Sequence, residues 1–166
     1  MSEILKEMHK NMTHPDGTYV SVKLSKDSQK KLDDWTTENK IPNASDPSEY
    51  HTTIIYSRKG IPDVKSYDLS LPITAKLSEW KIFNTQDGKK CLVGVVNSNE
   101  IKKHHEKIMK KYGGTYDFPE YIPHITVSYD YESDEIPSKI PNFDIVYDDK
   151  DLKPLNPDFI PPKKGK

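Results

Sequence analysis

Two segments of the chain, Tyr50-His51-Thr52-Thr53-Ile54-Ile55-Tyr56 and Ile122-Pro123-His124-Ile125-Thr126-Val127-Ser128, each place a histidine two residues before a threonine in a β-branched run. Side chains on a strand alternate faces, so His51 and Thr53 share one face of their strand, and His124 and Thr126 share one face of theirs. What precedes each segment is also alike. Residues 17–24 alternate as a strand, and Ser25 is placed to cap a helix predicted to run to about Asn39. Leu92 to Val96 reads as a strand, followed by a helix predicted from about Ser98 to Tyr112, with Asn97 and Glu100 at capping-box spacing and Gly113-Gly114 ending it. Strand, helix, His-x-Thr strand therefore occurs twice, with the two histidines 73 residues apart. That order constrains the chain to two related lobes about a pseudo-twofold axis.

The remaining segments fill in the sheet. Residues 75–83 read as a strand that turns through Gln86-Asp87-Gly88 into the strand around Cys91, and residues 142–147 as a late strand. The proline-rich stretches, 41–47 and about 154–166, read as loop and tail, the latter ending in solvated lysines. A chain of 166 residues fits one domain with a modest core. Its ten Tyr, four Phe and two Trp supply aromatic mass for that core or for stacking on a ligand. A net charge of −1 provides no broad positive field for long nucleic acid, so a small anionic substrate fits better than a polymer. One cysteine excludes an intrachain disulfide and suits a reducing cytosol; Cys91, in an apolar strand, reads as structural. No apolar run reaches membrane-spanning length, Met1-Ser2-Glu3-Ile4-Leu5-Lys6 does not read as a signal peptide, and a cytoplasmic location is expected.

Six histidines compete for a role. His9 and His14 lie in a stretch without strand periodicity and read as solvated. His104 and His105 sit among lysines on the second helix, whose apolar stripe is read as Ile101, Ile108 and Tyr112, so the pair is expected at the helix flank or in solvent. Neither a Cys cluster nor His-Glu-x-x-His spacing marks a metal site, and no cofactor is expected. His51 and His124 differ from these by coming as a matched pair with Thr53 and Thr126.

The paired motifs, His51-Thr52-Thr53 and His124-Ile125-Thr126, resemble those of the two-histidine (2H) phosphoesterase superfamily. Within it the chain is most similar to the bacteriophage anti-CBASS nucleases, which degrade cyclic oligonucleotide messengers of bacterial immunity. That narrower likeness rests on residues 15–22, on Tyr50-His51-Thr52-Thr53 running into Tyr56-Ser57-Arg58-Lys59, and on Tyr121-Ile122-Pro123-His124-Ile125-Thr126. The resemblance implies an α+β fold: a single bilobal domain over 1–166, with two pseudo-symmetric lobes of antiparallel sheet, helices packed outside and a central cleft. It also implies a metal-independent phosphodiesterase acting on cyclic di- or trinucleotides in an infected bacterial host, with no long nucleic acid and no membrane as partner, and homo-oligomerisation left open.

In that mechanism one imidazole takes a proton from the attacking oxygen and the other protonates the leaving oxygen, while Thr53 and Thr126 donate to nonbridging phosphate oxygens. Which histidine is base and which acid stays open. At a 3′–5′ ribose linkage the 2′-hydroxyl can attack, giving a 2′,3′-cyclic phosphate. Three further residues are candidate ligand contacts. Tyr19 reads equally as a contact or as a half-buried strand aromatic, and Trp80 as a base-stacking platform or a core residue. Arg58, the one arginine in the chain, has a planar fork suited to phosphate. Asp148, Asp149 and Asp151 read as a solvated loop. The alternatives are a 2H activity on RNA 2′,3′-cyclic phosphate ends, and a non-catalytic sponge for cyclic nucleotides.

Overall fold

The structure is a computed structural model that describes residues 17–61, 63–64, 67–85, 87–116 and 120–154. His9, His14, the start of the chain, Pro15-Asp16, Gln86 and the tail beyond 154 lie outside the described residues. Among the described residues six strands and two α-helices follow one another in the order β1 (Thr18–Leu24), α1 (Lys26–Glu38), β2 (His51–Ser57), β3 (Ile73–Asn84), β4 (Lys90–Asn97), α2 (Asn99–Tyr112), β5 (His124–Ser128) and β6 (Ile145–Pro154). All pairings are antiparallel, and the strand order across the sheet is β2-β1-β6-β3-β4-β5. Strand β3 joins the halves: Ile73 to Ala75 pair with β6, whereas its remainder pairs with β4. The two His-x-Thr strands thus form the opposite edges of one sheet. The α+β class, the doubled strand–helix–strand order and the antiparallel pairing all hold.

The helices form where capping and amphipathic spacing agree. Ser25 Oγ accepts from Ser28 N at 3.2 Å and Ser98 Oγ accepts from Ile101 N at 3.1 Å, so each helix starts on a serine cap. This corrects the reading of Asn97 as the cap; Asn97 is instead the last residue of β4. Gly113 ends α2 at φ 70°, the left-handed geometry that glycine adopts without a Cβ penalty. Inward-facing Val20, Val22, Leu24, Ile54 and Ile55 from the first half meet Leu92, Ile125 and Val127 from the second in one continuous core. Each such side chain contributes roughly 1.5–3 kcal/mol by leaving water.

Three local expectations are revised. Strand β6 begins at Ile145 rather than 142 and continues through Asp148, Asp149 and Asp151, so none of them is in a loop: Asp149 and Asp151 pair with Lys23 and Ser21 of β1, and Asp148 is the extra residue where that ladder shifts register. His104 and His105 are not at the flank: both are buried, because Ile101, His104, His105 and Ile108 occupy the i, i+3, i+4, i+7 stripe that faces inward. Cys91 is buried as expected, with burial pushing its thiol pKa up.

Candidate active site

Each motif histidine is oriented by its own backbone. The Nδ1–H of His51 donates to the Glu49 carbonyl at 2.6 Å, and that of His124 to the Ile122 carbonyl at 2.8 Å. A carbonyl can only accept, which assigns the proton of the neutral ring to Nδ1 and leaves the Nε2 lone pair for proton transfer in both motifs.

The strands carry matched irregularities. In the β1–β2 ladder Val20 faces Ile55 and Ser21 faces Thr53, so Ile54 is an extra residue; in the β4–β5 ladder Leu92 faces Ser128 and Val93 faces Thr126, so Val127 is the extra one. Both bulges fall three residues after the histidine. By shifting the alternation they put Tyr56, opposite Tyr19, on the same face as His51 and Thr53. Tyr19 reaches that face fully: its hydroxyl hydrogen-bonds Thr53 Oγ1 at 2.8 Å, and its ring packs edge-on to His51 at 6.2 Å. In the second lobe Thr126 partly offsets the rise that burial gives the Tyr129 pKa, and the Phe83 ring packs edge-on to His124 at 5.3 Å. The neighbouring Thr52 points the other way, into the core, where its hydroxyl meets that of Tyr147 at 2.6 Å.

The two motifs converge. The Tyr121 hydroxyl, three residues before His124, donates to the Thr53 carbonyl at 2.6 Å. Charge on His51 depresses the pKa of His124, after the larger effect of burial and against the hydrogen bond to Ile122. Burial likewise lowers the pKa of His51; the Glu49 carbonyl opposes this, and the ammonium groups of Lys23 and Lys153 push it further down. Those cations follow from register, since Lys23 pairs with His51, and Lys153, opposite Tyr19, lies 5.6 Å from that ring's centroid. Tyr19, Tyr121 and Tyr129 all have raised pKa values through burial, so each keeps its hydroxyl proton as a donor.

Residues 16–161 match the family described as Anti-CBASS protein Acb1. The chain belongs to this family. It is 34% identical over 145 residues to the Anti-CBASS protein Acb1 of Vibrio phage KVP40, covering 87% of this chain and 91% of that protein. To the Acb1 protein of Acinetobacter phage Ac42 it is 32% identical over 129 residues, covering 73% of this chain and 78% of that one. Its fold is that of E. coli LigT in complex with 3′-AMP, with a TM-score of 0.57 at 11% identity over 82% of this chain and 85% of LigT. A solved structure described only as a phosphoesterase gives a TM-score of 0.55 at 11% identity, over 83% of this chain and 87% of that chain. Both of these likenesses are of fold, and they agree with the α+β architecture that the resemblance implies.

Of the sequence-derived candidates, His51, Thr53, His124, Thr126 and Tyr19 are brought together. Trp80 is not among them. It is 5% exposed, stacks at 5.2 Å on Trp35 of α1, and donates its indole N–H to the Lys139 carbonyl at 2.8 Å, so no ring face remains for a base. Gly94, its ladder partner, makes the room, because a Cβ there would come within 3.3 Å of the indole. Arg58 follows the far end of β2, five residues or ~17 Å of strand beyond Thr53. Its amide donates to Thr115 and its guanidinium lies 6.0 Å from the Tyr56 ring. Residues missed by sequence reasoning are Phe83, Tyr129, Lys23 and Lys153. Tyr129 had a signal: it follows His124 by five, as Tyr56 follows His51. Phe83 had one too, since it lies an odd number of residues from Trp80 on β3 and so takes the opposite face. Among the described residues no helix is long and apolar enough to cross a membrane.

Proposed function

We propose that this protein is a phosphodiesterase that opens cyclic di- or trinucleotides at a 3′–5′ linkage, and thereby suppresses CBASS signalling in an infected bacterium. The single observation that supports this most is the pair of imidazoles on opposite sheet edges, each with Nδ1–H tied to a carbonyl two residues back, with charge on His51 depressing the pKa of His124. One Nε2 removes the proton of the ribose 2′-hydroxyl. The 2′-oxygen attacks phosphorus in line, the P–O2′ bond forms as the P–O5′ bond breaks, and the second imidazole, protonated, delivers its proton to O5′. The product is a linear oligonucleotide ending in a 2′,3′-cyclic phosphate, which water can open with the two roles exchanged. Thr53 and Thr126 donate to the nonbridging oxygens, where charge builds in the five-coordinate transition state. Thr53 donates more readily because the Tyr19 hydroxyl holds it in place at 2.8 Å. Lys23 and Lys153 add positive charge on the side of His51, and Phe83 gives the side of His124 an apolar ring against which a base can pack.

The deciding experiment incubates the protein in EDTA with 3′,3′-cyclic GMP-AMP and, separately, with a short RNA ending in a 2′,3′-cyclic phosphate. Linear product from the dinucleotide, abolished in folded His51→Ala and His124→Ala proteins, is the expected result. Ring opening on the RNA alone overturns the messenger assignment, and tight dinucleotide binding without product replaces the enzyme with a sponge.

A further inference from the structure

Strand β2 is a sheet edge, so its outward carbonyls find no partner in a neighbouring strand, and the bulge at Ile54 leaves that stretch irregular as well. Two of these carbonyls are nonetheless bonded, both by side chains from the other half of the molecule. Tyr121 donates its hydroxyl to the Thr53 carbonyl at 2.6 Å, and His105 on α2 donates Nδ1–H to the Ile54 carbonyl at 2.7 Å. The two donors lie flat on one another, with ring centroids 3.9 Å apart and planes 6° from parallel. Tyr116 closes the group, edge-on to His105 at 5.2 Å and to Tyr121 at 5.9 Å.

We infer that His105 and Tyr121 are positioning residues that fix the first His-x-Thr strand against the second. Tyr121 is only three residues from His124, so its bond to Thr53 couples the placement of one motif directly to that of the other. The stack with His105 holds the Tyr121 ring at one angle, and His105 in turn holds the bulge that orients Thr53. The imidazole takes this part by donating from a buried position, and burial lowers its pKa, so it does so as the neutral ring. Neither residue touches the phosphate; both act through the backbone of β2.

This inference rests on the phosphodiesterase reading for its kinetic test but not for its spectroscopic one. Tyr121→Phe removes one oxygen and leaves the ring stack. It is expected to lower kcat on cyclic GMP-AMP by about 10- to 100-fold, the order lost when reacting groups shift by ~1 Å, with KM held within about twofold. His105→Phe, which keeps a ring but loses the donor, is expected to do the same, and His105→Asn, which restores an N–H there, to recover most of the loss. Unchanged kcat in Tyr121→Phe and His105→Phe with only a lowered melting temperature would reduce the pair to a structural role and overturn the inference. If the native protein turns over no cyclic nucleotide, the phosphodiesterase reading fails, and the imidazole NMR titration of His51 decides the positioning claim without substrate. A displaced His51 titration in Tyr121→Phe supports it, and an unmoved one overturns it.

Discussion

The two His-x-Thr strands carry His, Thr and Tyr at the same spacing and a bulge at the same place, yet they are held by different means. At the first, the carbonyl of the bulge residue Ile54 accepts from the His105 side chain; at the second, the corresponding Val127 carbonyl accepts from the main-chain amide of Ser45 at 2.8 Å. Their electrostatic surroundings differ as well. His51 faces two ammonium groups, whereas His124 faces the edge of Phe83. Duplicated chemistry therefore sits in an unsymmetrical frame: each histidine has an aromatic ring edge-on to it, and the first gathers charge besides. A ligand with both phosphates and bases needs both, which a strictly symmetric site would not supply so economically.

The largest effect should come from removing either imidazole. His51→Ala and His124→Ala are each expected to lower kcat by about 10²- to 10⁴-fold, and the double variant by little more than either alone, because the proposed mechanism uses both in one step. Single-turnover rates on the cyclic dinucleotide test this. A loss confined to one histidine would break the equivalence of the motifs. Next come the hydroxyls: Thr53→Val and Thr126→Val should each cost about 10²-fold in kcat. Thr53→Val also strands the Tyr19 hydroxyl that it bonds at 2.8 Å, so Tyr19→Phe should recover stability in that background.

The pH dependence sharpens the comparison further. Burial holds the pKa of both motif imidazoles below the ordinary value of 6.5. The base must be neutral and the acid protonated, so kcat/KM should peak below that value and then fall about tenfold per pH unit as the acid loses its proton. Lys153→Met should raise the His51 pKa and leave that of His124 nearly still, as read by imidazole NMR; equal movement of both would refute the claim that the cations belong to one side. Stability follows the same sign. His51, His104, His105 and His124 all have folded pKa values below 6.5, so the unfolded chain takes up their protons first as pH falls. Their stabilising contribution is complete above that value, and the melting temperature should drop as pH falls through and below it.

The motifs were legible because they are local: a period of two fixes which side chains share a face, and the β-branched runs mark the strands. Convergence of the two edges was legible only through resemblance, since nothing within either heptapeptide specifies its distance from the other. Trp80 shows the limit of local context. Beside its charged neighbours Glu79 and Lys81 it read as either a stacking platform or a core residue, and alternation decides for the core by putting those charges on one face and the indole on the other, over Gly94 and against Trp35. His104 and His105 fail for the converse reason. Their lysine neighbours drew attention from the i, i+3, i+4, i+7 stripe with Ile101 and Ile108, and a buried imidazole is acceptable there only because Tyr67 and the Ile54 carbonyl meet its nitrogens from distant parts of the chain.

The helix caps give the smallest and most local test of the duplication. The offset of 73 residues that relates His51 to His124 also relates Ser25 to Ser98, and both serines accept an amide from the residue three further on. Applying that offset to the sequence would have selected Ser98 over Asn97 as the cap. Ser25→Ala and Ser98→Ala should each cost about 1 kcal/mol, a drop of roughly 2–4 °C in melting temperature for a chain of this size, while Asn97→Ala stays within about 0.5 kcal/mol. Ser98 is the more buried of the two, 8% exposed, so its loss should be the larger, since the freed Ile101 amide has less access to water. An Asn97 effect equal to that of Ser98 would mean that α2 starts one residue earlier in solution, and that the halves do not share a register at their helices even though they share it at their motifs.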